Sequence, residues 1–258
     1  MKNAVLLICG VMALLFGLEA NAQKPYNKEE MNEWGALAKN TKASISDFVS
    51  WVLDEPEGEV LGPMSEAWDQ YLHNQPLEKG VTILLDEKNG FFRYEVDFDK
   101  KHEDDEGVAL SGNSLYVEMC LWNCADGRHK VFGVNIVAVD NGKPSSGGQY
   151  DGYNFHLYDK DTHKIYMLDA IDTDEMSNLI PTQEWQYDGK QWYYATDYVT
   201  GEKKRMNSEE FDQWWANRPE VVLTLPRIGK NIKATVYSPT GNTEREFVWD
   251  GYRFHLSK

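Results

Sequence analysis

His156 and His255 occupy the same place in two copies of one short motif, and Tyr193 fills that place in a third. An imidazole titrates near neutral pH and serves as proton carrier or metal ligand, so two of them on one surface would mark a ligand site. With Phe155 and Phe254 turned inward, period-two alternation sends both imidazoles to the opposite, solvent-facing side. Aromatic rings are the second kind of candidate. Trp185, Trp192, Tyr193, Tyr194, Trp214 and Trp215 are more ring than one sheet face needs, and flat rings stack on the apolar faces of sugars. Adjacent strand residues point to opposite faces, so Trp192, Tyr193 and Tyr194 cannot all share a side. The ligand-binding candidates are His156, Tyr193, His255, Trp192, Trp214 and Trp215.

Carboxylates cluster at Asp99 to Glu106, at Asp159 with Asp161, and at Asp169, Asp172, Asp174 and Glu175. Alternate Asp residues in a loop can ring a calcium ion, which makes calcium the one cofactor this pattern admits. Asp159-x-Asp161-x-His163 lacks both the turning Gly and the distal Glu of a helix-loop-helix calcium site, so solvated acidic turns are the plainer expectation. Cys120 and Cys124 read first as a disulfide in an exported protein. Four residues of extended strand hold two sulfurs too far apart to bond, so a bridge requires the chain to turn between them; two buried free thiols are the alternative. No His or Cys pair at ligand spacing accompanies them, and no metal site is assigned. Nucleophile elbow, His-Glu-x-x-His and Gly-rich phosphate loop are all absent from the sequence. Two carboxylates flanking a sugar bond suffice for glycoside hydrolysis, but 42 acidic residues offer no way to choose a pair. No catalytic residue is assigned.

These side chains hang on a motif written three times: Tyr150-Asp151-Gly152, Tyr187-Asp188-Gly189 and Trp249-Asp250-Gly251, each followed by alternating apolar and polar residues. Asp-Gly supplies the positive φ of a tight turn, and the alternation is that of a half-buried strand, so a series of β-hairpins is expected. Further hairpins are expected around Asn89-Gly90, Asp126-Gly127, Asp159 to Thr162 and Val199 to Gly201. Ser208 to Asn217 reads as a capped short helix, and Val221 to Leu225, Ile232 to Tyr237 and Arg245 to Trp249 as strands. The unequal spacing of the three copies argues against a propeller. Upstream, Met31, Trp34, Leu37 and Ala38 predict a helix, Ile45, Phe48, Val49 and Val52 a second, and Met64, Ala67, Trp68, Tyr71 and Leu72 a third behind Pro63. The expected class is α+β: N-terminal helices over residues 23–75 packed on a mainly antiparallel sheet or sandwich over 76–258, with a possible internal boundary near 142–148.

An apolar run from Val5 to Leu18 behind Lys2, with Ala20-Asn21-Ala22 as cleavage site, reads as a secretory signal peptide over residues 1–22. It is too short to anchor the chain, so an exported protein without membrane insertion is expected. The net charge of −16 disfavours nucleic acid and anionic membrane surfaces. Nine Trp and 13% aromatic residues predict a packed core despite that charge. From Gly112 to Gly127, together with the closing strand, Trp-Asp-Gly, strand unit, the chain resembles the uncharacterised exported β-rich proteins of Bacteroides-type bacteria. That resemblance covers about residues 80–258; it implies a periplasmic or extracellular place and brings no activity or site residues. The expectation is a non-enzymatic binding or interaction protein of the envelope, its partner a glycan or an envelope protein. A glycan- or peptide-directed hydrolase competes with it, and a structural envelope protein stands third.

Overall fold

A computed structural model describes residues 26, 31–54, 62–101, 113–145, 153–180, 185–197 and 200–257. The expected signal peptide, the expected Asp151-Gly152 turn and most of the 99–106 acidic stretch lie outside these residues. Strand outweighs helix, 44% to 19%, and pairings between strands are antiparallel, so the fold is α+β.

The largest sheet has the order β1-β8-β7-β5-β4-β3-β2, with β6 paired to β5. Its strands are β1 (Glu33–Ala36), β2 (Val81–Asp86), β3 (Phe91–Asp97), β4 (Ser114–Asn123), β5 (His129–Asp140), β6 (Lys143–Ser145), β7 (Tyr153–Asp159) and β8 (Lys164–Met167). The Asn89-Gly90 and Asp126-Gly127 hairpins form where expected, with both glycines at φ of 66°. Asp126 Oδ1 fixes the second turn by accepting the N–H groups of Arg128 and His129, each at 2.9 Å. One expectation fails. Trp34 to Ala36 are not helical: β1 pairs with the open edge of β8, where an extended segment satisfies backbone groups that a helix would leave exposed. Of the stretch 142–148, where an internal boundary was expected, residues 146–148 lie outside the described residues; beyond it β7 and β8 continue the sheet that β2 to β5 begin.

Helix α1 (Ile45–Asp54) and helix α2 (Gly62–Leu72) cover one face of this sheet. Ser44 and Asp47 cap α1 reciprocally: the Ser44 N–H donates to Asp47 Oδ2 at 2.8 Å and the Asp47 N–H to Ser44 Oγ at 3.4 Å. Ile45, Phe48 and Val49 then face the sheet, where Phe48 stacks on Phe132 at 4.5 Å. Trp68 of α2 rests edge-on against Phe92 and donates its Nε1–H to Ser50 Oγ, tying the helices together. Each such ring contributes about 1.5–3 kcal/mol by leaving water.

The other face carries a second sheet, β12 (Glu220–Thr224), β13 (Ile232–Tyr237), β14 (Thr243–Trp249) and β15 (Phe254–Leu256). Between the sheets, Trp122 and Phe155 meet Trp249 and Phe254, with Trp122 and Phe254 centred 5.0 Å apart. Phe155 and Phe254, equivalent residues of two motif copies, thus fill one core from opposite sides. Gly133 makes room: a Cβ there would lie 2.7 Å from the Phe155 ring. The remaining strands, β9 (Trp185–Tyr187), β10 (Tyr193–Thr196) and β11 (Lys203–Met206), form a small sheet of their own, with helix α5 (Ser208–Ala216) against one face. Two short helices, α3 (Phe98–Lys101) and α4 (Thr173–Ser177), complete the described elements.

Candidate functional site

The two histidines do not share a surface. Because Phe155 and Phe254 face each other across the sandwich, His156 and His255 point outward from opposite layers. Helix α1 and β1 then cover His156, which is 6% exposed, stacks on Phe132 at 4.7 Å and meets Trp51 edge-on at 5.6 Å. Its Nδ1 has no hydrogen-bond partner, and burial pulls its pKa down to about 4. It is a neutral core imidazole, which corrects the expectation of a solvent-facing ligand group. His255 stays exposed, with Nε2 at 2.8 Å from Asp250 Oδ2 and Nδ1 at 3.9 Å from Glu175.

The acidic clusters are similarly occupied. Asp159 is fully buried; the Arg128 Nε–H and Nη2–H donate to its two oxygens, each at 2.9 Å, while Thr162 Oγ1 adds a third donor. Asp161 lies on the same guanidinium at 2.9 Å, so an arginine stands where a cation would. Asp172 caps α4, and Glu175 accepts the Leu256 N–H. Among the described residues no group of three or more His, Cys, Asp or Glu is placed to hold a metal ion. Cys120 and Cys124 are both buried thiols with no disulfide between them, which corrects the disulfide expectation. Cys120 lies on the straight run of β4 and Cys124 just past its end, so no turn brings them together; burial pushes the Cys120 thiol up to about 12.

Sequence reading passed over Glu118. It is 2% exposed between the two large sheets, accepting the Arg93 Nη1–H at 2.9 Å and the Leu225 N–H at 3.0 Å. Burial raises its pKa, and those hydrogen bonds pull it partly back. One oxygen ties β4 to its neighbour β3 and the other reaches across to the second sheet, so neither is left to solvent. A cavity of about 200 Å³ between α2 and the start of β2 does contain two glutamates, Glu66 and Glu78, beside Gln70 and Tyr94. It is smaller than the ~300–1,000 Å³ usual for small-molecule sites.

The arrangement with open chemistry is the small sheet and its helix. Asp188 Oδ1 accepts the N–H groups of Lys190, Gln191 and Trp192 and closes the β9–β10 turn. The resulting register sets Trp185 opposite Ala195 and Tyr187 opposite Tyr193, so these side chains share the face on which α5 packs. Helix α5 is fixed by a capping box between Asn207 and Glu210, which aims Phe211 and Trp214 at the sheet. Phe211 stacks on Tyr193 at 4.1 Å, Trp185 lies 5.2 Å from Phe211, and Trp215 stacks on it at 6.2 Å. Trp214 is buried and donates Nε1–H to Thr196 O, so of the expected ligand groups it is a core residue. A three-stranded sheet and one short helix cannot cover the rest: Trp185, Tyr187 and Trp215 remain 47%, 43% and 40% exposed around the Tyr193 and Phe211 stack. On the opposite face Tyr194 is 42% exposed and the Arg205 guanidinium lies 4.1 Å over the Trp192 ring. Trp185 and Tyr187 were legible as ring partners only through the hairpin register, which pairs β9 with β10 around Asp188-Gly189.

No family model matches this chain, and neither a search of curated proteins nor one of solved structures returns a match.

Proposed function

We propose that the protein is an exported, non-enzymatic binding protein of the cell envelope whose ligand is a glycan, held on the aromatic rim of the small sheet and α5. The observation that carries this reading is the exposed set Trp185, Tyr187 and Trp215, anchored by a stacked pair beneath it. Rings held by their neighbours lose little freedom on binding, and a ring face complements the C–H face of a pyranose. The signal-like N-terminus and the resemblance to exported proteins support the envelope setting. The thermal midpoint of the protein, alone and with a panel of soluble glycans and peptidoglycan fragments, tests it. A ligand at a hundred times its Kd adds about 2.7 kcal/mol, equivalent to roughly 5–10 °C for a chain of this size. A shift that disappears in Trp185→Ala is the expected result; no shift across the panel would sink the reading.

One observation favours the hydrolase instead, namely Glu66 and Glu78 in the cavity beside α2. If that cavity turns over a glycan, Glu66→Gln and Glu78→Gln each abolish sugar release while Trp185→Ala leaves it intact.

A further inference from the structure

The outer face of the small sheet, opposite the Trp185, Tyr187 and Trp215 rim, carries a second aromatic surface with charges of its own, and it extends the glycan reading, on which it rests. Strand β11 reads Lys203-Lys204-Arg205, a cationic run in a chain that carries 42 acidic against 26 basic residues. Alternation places Lys204 on the inner face, where its ammonium pairs with Asp197 at 2.6 Å. Lys203 and Arg205 fall on the outer face, both exposed, and among the described residues neither has a carboxylate partner. Asp188 feels the Arg205 charge only at longer range, its Oδ1 being engaged by three backbone N–H groups. In a protein with surplus acid, two neighbouring unpaired cations on one strand face are the reverse of what self-neutralisation would give.

Register places rings among these charges. Tyr194 lies directly opposite Arg205, and Thr196 opposite Lys203. Trp192, two residues before Tyr194, carries the Arg205 guanidinium over its ring. The face therefore offers, side by side, an exposed phenol ring, an indole with a guanidinium laid flat upon it, and a free ammonium. A guanidinium held by its face on a ring keeps its in-plane N–H groups free, and that fork matches a carboxylate.

We infer that the outer face of β9–β10–β11 is a second glycan surface, on the side of the sheet away from the Trp185, Tyr187 and Trp215 rim, and that it selects glycans bearing sugar carboxylates, with Tyr194 under a sugar ring and Lys203 and the Arg205 held flat on Trp192 on the acid groups. Charge complementarity decides the occupant: a neutral sugar uses the Tyr194 ring alone and leaves both cations unmatched, and a basic one is repelled.

The test uses oligogalacturonate and its fully methyl-esterified form, which keeps the sugar rings and removes the charge. Binding is followed by Trp fluorescence at low and high salt. The acid form is expected to bind about tenfold more tightly than the ester, since a charge-assisted hydrogen bond contributes roughly that factor. The preference should fade in high salt and be lost in Arg205→Gln combined with Lys203→Gln, whose circular dichroism and thermal midpoint show that it folds. Equal binding of acid and ester, insensitive to salt and to the double substitution, overturns the charge preference and leaves the glycan reading standing. Binding of neither form, with no neutral glycan shifting the midpoint, overturns both.

Discussion

Two sets of aromatic rings in this molecule are stacked with similar closeness and have opposite fates. Between the large sheets, Trp122, Phe155, Trp249 and Phe254 lie at centroid distances of 4.8 to 6.2 Å and are all buried. On the small sheet, Trp185, Tyr187, Tyr193, Phe211 and Trp215 lie at 4.1 to 6.2 Å, and three of the five face water. Residue type and stacking do not separate the two sets; the presence of a second layer does. A ten-residue strand and a twelve-residue strand, β4 and β5, give the second sheet a broad surface to cover. Strands of three and four residues beside a nine-residue helix do not.

The strongest way to break the comparison is to truncate one ring from each set. Trp122→Ala removes a buried indole and its Nε1–H bond to Lys230 O at 2.8 Å, and is expected to cost about 3–5 kcal/mol in urea unfolding. Trp215→Ala on the small unit should cost less than about 1 kcal/mol. Equal costs would mean that the second set is core as well.

A buried imidazole sharpens the point with pH. His156 has its pKa lowered from 6.5 to about 4 by burial, so the unfolded chain binds a proton that the folded chain refuses. Its contribution is therefore fully present above pH 6.5 and is lost as pH falls from 6.5 towards 4. At ~1.4 kcal/mol per pH unit the loss amounts to about 3 kcal/mol. Glu118 acts with the opposite sign: its raised pKa gives stability present at low pH and lost as pH rises through the folded value. His156→Phe isolates the histidine, and its stability should be flatter than the parent's between pH 4 and 6.5. An unchanged slope would mean that the imidazole is reached by water. A smaller effect is expected at Gly133, where a methyl group must displace the Phe155 ring and press on Trp122; Gly133→Ala should cost about 1–3 kcal/mol by thermal unfolding.

How much of this was legible depended on how far each feature reaches along the chain. The hairpins at Asn89-Gly90, Asp126-Gly127 and Asp188-Gly189 were readable because the turn residue and the paired strands are neighbours. Alternation likewise put Phe155 and His156 on opposite faces. What it cannot say is which face a distant element covers, and α1, a hundred residues upstream in order of magnitude, buries the face that alternation alone leaves to solvent. Trp34 to Ala36 misled for the complementary reason: apolar residues three and four apart also arise in a short strand, and only the open edge of β8 decides between them. Glu118 carried no signal, since its meaning lies in the Leu225 N–H that it accepts from the other sheet. The small unit was half visible, its rings and helix cap local in sequence, its failure to be covered not.

The finest cut falls within one helix. Trp214 and Trp215 are adjacent on α5, so they point in different directions: one buries its ring and donates to Thr196 O at 3.0 Å, the other lies on the rim beneath Arg218. Trp214→Ala should therefore destabilise the small unit and release Tyr193 and Phe211 from their packing. Trp215→Ala should leave the thermal midpoint nearly where it was and reduce only the ligand-induced shift. Because the two substitutions remove the same atoms one residue apart, a composition effect or a general loosening would change both alike. Only a surface on which one ring serves the fold and its neighbour serves a ligand separates them, and the same pair of midpoints, with and without glycan, reads the difference.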